Sequence, residues 1–362
     1  MNWGIYLTFI GSLTLTALLT SAAKYALARL GFWNVKDSDH AAPVVRGGGI
    51  AVGLSFIILG AALCLRYHTC WLQSFLRFLP AAVLLLATGI VDDRWGLRPK
   101  KKLLLQALSI LLLWIGGFRI HYFLFWPIND FLSLILTVFW GVSVLNAFNL
   151  IDGLDGLCTG NAMIAAAAFL LLALLTRNQI VTIYSLLLVG CCAGFLIFNF
   201  HPATIFLGDT GSLFLGLVCT ALSLRITEAN FNLTNFATLL LIFWIPFCDM
   251  GLAVWRRKVK ALLKSNGCEI MERDLYHTHY RLRNLVQSHT LSVLIMWFGM
   301  ASFDAFALLI FIMRMTTFTV LIFIAVSLFS LLIMARYEVS YTRCLVRHMV
   351  TRTIQKIRKA RA

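Results

Sequence analysis

Residues 180–198 read IVTIYSLLLVGCCAGFLIF, a stretch of 19 residues that contains no charged side chain. A helix of about 20 apolar residues crosses the hydrocarbon layer of a bilayer, which is roughly 30 Å thick. Ten further apolar runs flank this stretch, and 60% of the 362 residues are hydrophobic whereas 13% are charged. The sequence therefore predicts an all-α, polytopic integral membrane protein with about eleven transmembrane helices.

The apolar runs occupy most of the chain. The predicted spans lie near residues 3–23, 48–65, 78–91, 103–118, 131–148, 160–176, 180–198, 211–226, 235–254, 289–310 and 317–335. We expect residues 1–335 to form a single transmembrane domain and residues 336–362 to form a basic cytoplasmic tail. The nine cysteines show neither a CxxC pair nor a His/Cys metal spacing, so we interpret them as small buried apolar residues.

The basic residues are distributed unevenly between the two sides of the predicted bundle. The segments 24–46, 92–102, 256–283 and 336–361 hold 25 of the 31 Lys and Arg residues. Cytoplasmic loops carry the positive excess, so this pattern predicts an outside N-terminus and a cytoplasmic C-terminus. We therefore interpret the net charge of +16 as a consequence of membrane topology, and we expect no nucleic-acid binding. We also expect the basic tail to contact anionic membrane lipid.

The acidic residues collect on the same predicted side. Two of its loops, 149–159 and 199–210, contain Asp but no Lys or Arg. Clustered carboxylates repel one another unless a cation lies among them, and Mg²⁺ is the simplest candidate. Each Asp could instead serve a turn or a helix cap, as the Asp-Gly pairs at 152 and 155 suggest. For Asp249, near the end of the ninth span, a functional role and capping beside a proline kink are both open.

Three short motifs carry the chemistry. Residues 91–94 read VDDR, residues 146–156 read NAFNLIDGLDG and residues 206–212 read FLGDTGS. In this order and spacing they resemble the signatures of the polyprenyl-phosphate N-acetylhexosamine-1-phosphate transferases of glycosyltransferase family 4. That family includes WecA-type enzymes and the MraY-type enzymes of peptidoglycan synthesis, and the resemblance covers about residues 30–285. It implies a catalytic transmembrane domain whose active-site loops lie on the cytoplasmic face.

The resemblance also implies roles for individual residues. Asn149 and Asp209 are the implied ligands of Mg²⁺, with Mn²⁺ as the alternative ion. Asp92 and Asp93 are the implied essential pair at the lipid phosphate, and they join Asp209 as the expected catalytic residues. Whether Asp92 acts as a base or as a nucleophile is open. The implied substrate-binding residues are Lys102 for phosphate, Asp152 for the metal site or nucleotide, Asp155 and Phe206 for uracil, and His277 and His279 for phosphate or sugar.

Two further segments bear on the sugar donor. Residues 40–49 read HAAPVVRGGG and resemble the entry to span two in enzymes that start O-antigen and related polysaccharides, although the glycines could equally form a tight turn. Residues 274–282 read DLYHTHYRL, which is similar to the family pattern D-x-x-H-I-H-H-R-L with Tyr280 in place of the third His. MraY-type enzymes have three consecutive His residues, so this sequence argues against a pentapeptide-bearing donor.

The resemblance implies transfer of N-acetylhexosamine 1-phosphate, with GlcNAc 1-phosphate as first choice, from a UDP-sugar to undecaprenyl phosphate. UMP is released, and the reaction begins lipopolysaccharide or related envelope synthesis in the inner (plasma) membrane. The alternatives are a sibling enzyme that uses UDP-FucNAc or UDP-QuiNAc, and a phospho-MurNAc-pentapeptide transferase. From another class, a non-enzymatic transporter is the rival, but we find no internal repeat. A homodimer and a monomer are both open.

Overall fold

The computed structural model describes residues 2–33, 43–64, 70–123, 126–228, 233–263 and 277–313. Within these ranges the chain is mostly α-helical, as the sequence predicts. The predicted eleventh span at 317–335, the basic tail at 336–362, residues 40–42 of the glycine-rich motif and residues 274–276 of the histidine motif lie outside the described residues.

Twelve helices and one short hairpin form the described part of the chain. The helices are α1 (Asn2–Arg29), α2 (Gly49–Cys64), α3 (Cys70–Trp95), α4 (Pro99–Ile115), α5 (Asp130–Ile151), α6 (Leu157–Thr176), α7 (Gln179–Asn199), α8 (Gly208–Ile226), α9 (Leu233–Ile242), α10 (Trp244–Leu263), α11 (Thr278–Val286) and α12 (His289–Met313). Between α4 and α5, β1 (Tyr122–Phe123) pairs antiparallel with β2 (Trp126–Pro127).

The first ten predicted spans all coincide with helices, and the ninth coincides with the pair α9 and α10. Seven described helices are long and apolar enough to cross a membrane, and α9 with α10 gives an eighth if the pair is one span bent by 71°. This result confirms a multi-pass integral membrane protein. The number eleven is not confirmed, because α2 has only 16 residues and α4 has 17 residues, of which the second to fourth are lysines.

Helix α8 lies at the centre of the bundle. It packs against α2, α3, α5, α6 and α7, and almost every residue from its start to Leu224 is buried. Beside it, the rings of Phe56, Phe78 and Trp71 surround Tyr184 at centroid distances of 4.7 to 5.8 Å. The Tyr184 hydroxyl donates a hydrogen bond to the backbone oxygen of Ser74 at 3.3 Å, so this ring is buried with its polar end satisfied.

Small residues bring three separate motifs to the first turn of α8. Gly49 and Gly89 lie so close to the backbone of Gly211 and Thr210, respectively, that an added Cβ would overlap with it. The chain before α2 runs beside the loop before α8, where Gly48 N–H donates to Phe206 O at 2.9 Å. The glycine-rich segment, the end of α3 and the start of α8 therefore meet at one end of the bundle.

Candidate active site

The ends of α3, α4, α5 and α8 open onto one cavity of about 1150 Å³. Helix α11 and the middle of α10 also line this cavity. Seven of the ten predicted site residues line this cavity. They are Asp92, Lys102, Asn149, Asp152, Asp209, His277 and His279.

Lys102, in the first turn of α4, lies among three oxygen atoms from three different helices. Its Nζ is 2.8 Å from Asp92 Oδ2 and 3.2 Å from Asn149 Oδ1, and it also donates to Asp209 Oδ2. Burial alone would lower the pKa of Lys102, but the carboxylates of Asp209 and Asp92 outweigh this effect and raise it. The side chain is therefore a cation held at a point where carboxylate and amide oxygens converge.

Asn149 and Asp209 are oriented by direct contacts. Asn149 Nδ2 donates to Asp209 Oδ1 at 3.1 Å and to Ser212 Oγ at 3.0 Å, which leaves its Oδ1 to face Lys102. Hard oxygen atoms from carboxylates and amides are the protein ligands that Mg²⁺ prefers. The oxygens of Asn149, Asp209 and Asp92 already meet around one cationic group, so these residues fit a magnesium ion.

Asp93 lies behind the cavity rather than in its wall. Its side chain has no exposed surface, and it accepts hydrogen bonds from the backbone N–H groups of Asp209 and Thr210 at 2.8 and 3.0 Å and from Thr210 Oγ1 at 2.6 Å. An acidic side chain at a helix N-terminus satisfies N–H groups that have no partner within the helix. Gly208, with φ +73°, lies so close that a Cβ there would crowd this carboxylate. Asp93 thus caps α8 from α3.

Arg46 is a site residue that the sequence reasoning missed. Its Nε lies 2.8 Å from Asp93 Oδ1 and its Nη2 lies 3.0 Å from Asp209 Oδ1, so one guanidinium bridges the two carboxylates. Asp93 and Asp209 help to raise the pKa of Arg46, against the lowering effect of its burial. The sequence signal was the basic residue before three glycines, which we used only to infer the sugar donor.

Asp152 adds a further carboxylate to the wall. Burial raises its pKa to about 8; Arg46 opposes the rise, and the carboxylates of Asp209 and Asp93 add to it. With a pKa this high the carboxyl is largely protonated at neutral pH, so Asp152 adds little negative charge to the cavity. The predicted gathering of carboxylates exists, but it is not free of basic partners, because Arg46 and Lys102 lie among these groups.

Asp155 does not line the main cavity, although its motif does. Its Oδ2 accepts the Ala203 N–H at 3.1 Å and lies 2.9 Å from His201 Nδ1. The His201 ring stacks on His289 at 4.1 Å, and both line a second cavity of about 200 Å³. Phe206 also lies outside the main cavity's wall, so the predicted uracil contacts of Asp155 and Phe206 stay predictions.

The histidine motif is held by Asp249, which lies on α10. His277 Nδ1 lies 2.9 Å from Asp249 Oδ2, and the Thr278 N–H donates to Asp249 Oδ1 at 2.8 Å. His279 is fully buried, which lowers its pKa although Asp249 opposes this shift. The ring of His279 packs against Gly153. Asp249, whose role the sequence left open, therefore caps α11 and contacts His277.

Comparison with known proteins identifies the family. A model described as Glycosyl transferase family 4 matches residues 75–227. A Bacillus subtilis (strain 168) protein named probable undecaprenyl-phosphate N-acetylglucosaminyl 1-phosphate transferase is 30% identical over 302 residues, which cover 81% of each chain. The chain belongs to glycosyl transferase family 4.

Other family 4 relatives differ in their named substrates. The decaprenyl-phosphate N-acetylglucosaminephosphotransferase of Mycobacterium tuberculosis (strain ATCC 25618 / H37Rv) is 29% identical over 332 residues, covering 80% of this chain and 79% of that protein. The phospho-N-acetylmuramoyl-pentapeptide-transferase of Bacillus subtilis (strain 168) is 32% identical over 263 residues, covering 65% and 74%. The matched family 4 segment contains Asp92, Lys102, Asn149 and Asp209, but Arg46 and the histidine motif lie outside it.

Proposed function

We propose that this family 4 protein transfers GlcNAc 1-phosphate from UDP-GlcNAc to undecaprenyl phosphate and releases UMP. The observation that carries the proposal is the cluster in which Asp92, Asn149 and Asp209 surround the Lys102 ammonium in one open cavity. Phosphoryl transfer asks an enzyme to neutralise a diphosphate and to place the attacking oxygen in line. Relatives that cover about four fifths of the chain and are named for this reaction on GlcNAc support the same substrate.

On the donor side, Asn149 and Asp209 would hold the metal ion. When bound, Mg²⁺, or Mn²⁺ in its place, supplies the positive charge that offsets the diphosphate of the UDP-sugar. Lys102 is the cation nearest these ligands, and its flexible stem allows its ammonium to move from the carboxylates to a substrate phosphate. Arg46 keeps Asp209 in place from the opposite side through its contact with Asp93.

On the acceptor side, Asp92 faces the cavity beside Lys102. An oxygen of the polyprenyl phosphate attacks the sugar-bearing phosphorus, the bond between the two donor phosphates breaks, and UMP leaves. A lipid monophosphate is already largely ionised at neutral pH, so Asp92 positions the anion or removes its last proton. In the rival scheme the carboxylate of Asp92 attacks the sugar-bearing phosphorus, which releases UMP and forms a covalent aspartyl-phosphosugar. The lipid phosphate then displaces Asp92 and accepts the phosphosugar.

We further propose that the cavity opens to the cytoplasm of a cell whose inner membrane the protein spans about eleven times. The uneven distribution of Lys and Arg supports this orientation. In a cysteine-free background, single cysteines restored at 268 or 344 should resist impermeant thiol reagents in intact cells, whereas one at 70 should react. Labelling at 268 would contradict a cytoplasmic active site.

The sugar is tested directly with a donor panel. Detergent-purified protein is incubated with undecaprenyl phosphate, Mg²⁺ and UDP-GlcNAc, UDP-FucNAc, UDP-QuiNAc or UDP-MurNAc-pentapeptide, while UMP release is followed. We expect release from UDP-GlcNAc, inhibition by tunicamycin, and none from the pentapeptide donor, because Tyr280 replaces the third His of the pentapeptide enzymes. Turnover of UDP-FucNAc or UDP-QuiNAc alone would refute GlcNAc but keep the reaction type. Release from none of the donors would refute the proposed function.

A further inference from the structure

The carboxylate of Asp249 is buried at the start of the histidine motif. It is 1% exposed and accepts the backbone N–H of Thr278, which fixes the beginning of α11. Its other oxygen lies 2.9 Å from His277 Nδ1. An ionised carboxylate can only accept hydrogen bonds, so Nδ1 of His277 must carry the proton in this contact. The opposite ring nitrogen, Nε2, is thereby left for a partner other than Asp249.

A metal ion is a poor explanation for this group of Asp249, His277 and His279. The two imidazole rings are stacked, with an interplanar angle of 17° and centroids 5.3 Å apart. The lone pair of each ring nitrogen lies in the plane of its ring, and nitrogen–metal bonds are about 2.1 Å long. The Nδ1 atom of His277 is already at hydrogen-bond distance from Asp249, so this contact needs no ion to explain it. The arrangement instead matches a carboxylate that orients a histidine.

The two histidines have different surroundings. His279 is fully buried between Asp249 and Gly153, so it ties the motif to the loop after α5. Both rings line the main cavity, in which Asn149 and Asp209 also lie, but His277 keeps 6% of its surface exposed whereas His279 keeps none. Of the pair, His277 is the residue that Asp249 holds by a hydrogen bond within normal distance.

We propose that Asp249 is a positioning residue that holds the His277 ring so that Nε2 contacts the UDP-sugar. This inference rests on the proposed function, because it assigns the donor as the group that His277 meets. His277 lies within the basic segment 256–283, which is expected to be cytoplasmic, and the UDP-sugar enters from the cytoplasm whereas the polyprenyl phosphate enters from the lipid. Asp249 therefore acts on donor binding through His277.

The first test is Asp249→Asn, which keeps the size of the side chain but leaves one acceptor oxygen. That oxygen can serve Thr278 N–H or His277 Nδ1–H but not both, and the new amide NH₂ would face the other donor. Losing one hydrogen bond to a charged group predicts a rise in KM for UDP-GlcNAc of about tenfold to a hundredfold. KM for undecaprenyl phosphate should stay within about twofold. A purely structural defect would lower the amount of active enzyme and leave both KM values unchanged, which would overturn the proposal.

A double-variant comparison tests whether Asp249 acts through His277. His277→Ala should raise KM for UDP-GlcNAc as Asp249→Asn does, and the double variant should be no worse than His277→Ala alone. If the KM increases of the two single variants multiply in the double variant, the proposal is overturned. The matched control is Asp304→Asn, because Asp304 is a buried carboxyl on α12 for which the described residues provide no hydrogen-bond partner. Its KM values should stay within about twofold of the wild type.

A spectroscopic measurement separates this inference from the proposed function. If the wild type releases no UMP, the proposed function fails, but the contact can still be tested by ¹⁵N NMR of histidine-labelled protein in detergent. The His277 signals, assigned by their loss in His277→Ala, should report a protonated Nδ1 in the wild type and a changed Nδ1 in Asp249→Asn. Identical His277 signals in the two proteins would overturn the positioning role.

Discussion

The carboxylate of Asp93 accepts the backbone N–H of Asp209 at 2.8 Å, and this contact joins the end of α3 to the first turn of α8. The neighbouring Asp92 faces the other way, toward Lys102 and the cavity. The two acidic residues of one motif therefore have different environments. Asp93 holds the end of α8 that carries Asp209 in place, while Asp92 faces the cavity.

This difference predicts distinct phenotypes. Asp92→Asn should reduce UMP release about a hundredfold or more with little change in unfolding temperature, because the remaining amide oxygen can keep the one backbone hydrogen bond of Asp92, from the Leu97 N–H, while the new NH₂ takes the position that faces Lys102. Asp93→Asn should lower both UMP release and the unfolding temperature, since its amide NH₂ would face a backbone N–H or Arg46. An unsatisfied buried donor costs about 1–3 kcal/mol. UMP release and thermal unfolding in detergent measure the two effects. Equal loss of stability in both variants would contradict the assignment.

The positions of the spans could be predicted because a bilayer demands an apolar run wherever a helix crosses it. A proline kink in the ninth predicted span, 235–254, was open from the sequence, but the size of the break could not be predicted. In the structure α9 ends at Ile242, and Pro246 in the first turn of α10 has no N–H to donate to the Ile242 carbonyl. A proline in an apolar run allows a break, but the 71° angle depends on packing.

Most of the predicted site residues meet in one cavity because their motifs stand at helix ends on the same side. The partners of those residues could not be predicted. Arg46 reaches Asp209 across 163 positions of sequence, and Asp249 reaches His277 across 28. Such contacts depend on how each helix is rotated about its axis, which a strongly apolar span does not reveal because it has no single polar face.

The bridging geometry of Arg46 predicts that a lysine cannot replace it. An ammonium is a point charge, whereas the guanidinium places Nε on Asp93 and Nη2 on Asp209 at once. Arg46→Lys should therefore lower UMP release about tenfold to a hundredfold. The control is Arg94→Lys, because Arg94 is exposed and donates to the Gly31 backbone oxygen, so its activity should stay near wild type. Equal activity of both variants would rule out a specific bridge.

The metal assignment predicts loss of activity on chelation. EDTA should abolish UMP release, and excess Mg²⁺ or Mn²⁺ should restore it. Asp209→Ala should cost several orders of magnitude at unchanged expression, because it removes a ligand and a partner of Lys102. Asp130→Ala is the matched control, since Asp130 is an exposed carboxylate that pairs with Arg119. An enzyme that stays active in EDTA would remove the metal from the proposal.

The contact between Gly153 and His279 predicts that a single methyl group disturbs the site. A Cβ on Gly153 would overlap with His279 Nε2 and come within 3.0 Å of the Tyr280 hydroxyl, and both rings lie in the cavity wall. Gly153 does not have a positive φ, so the strain of Gly153→Ala is steric and comes from the histidine motif. We expect UMP release to fall about tenfold or more, since displaced buried groups typically cost 1–3 kcal/mol.

Two comparisons make this last prediction specific. Gly251→Ala adds the same methyl group on α10, where nothing lies within 4 Å of the new Cβ, and it should keep full activity with slightly higher stability. Truncating the obstructing ring should remove the overlap, so Gly153→Ala combined with His279→Ala should be no less active than His279→Ala alone. If Gly153→Ala is as active as Gly251→Ala, the histidine motif is not packed against the loop after α5 in the working enzyme.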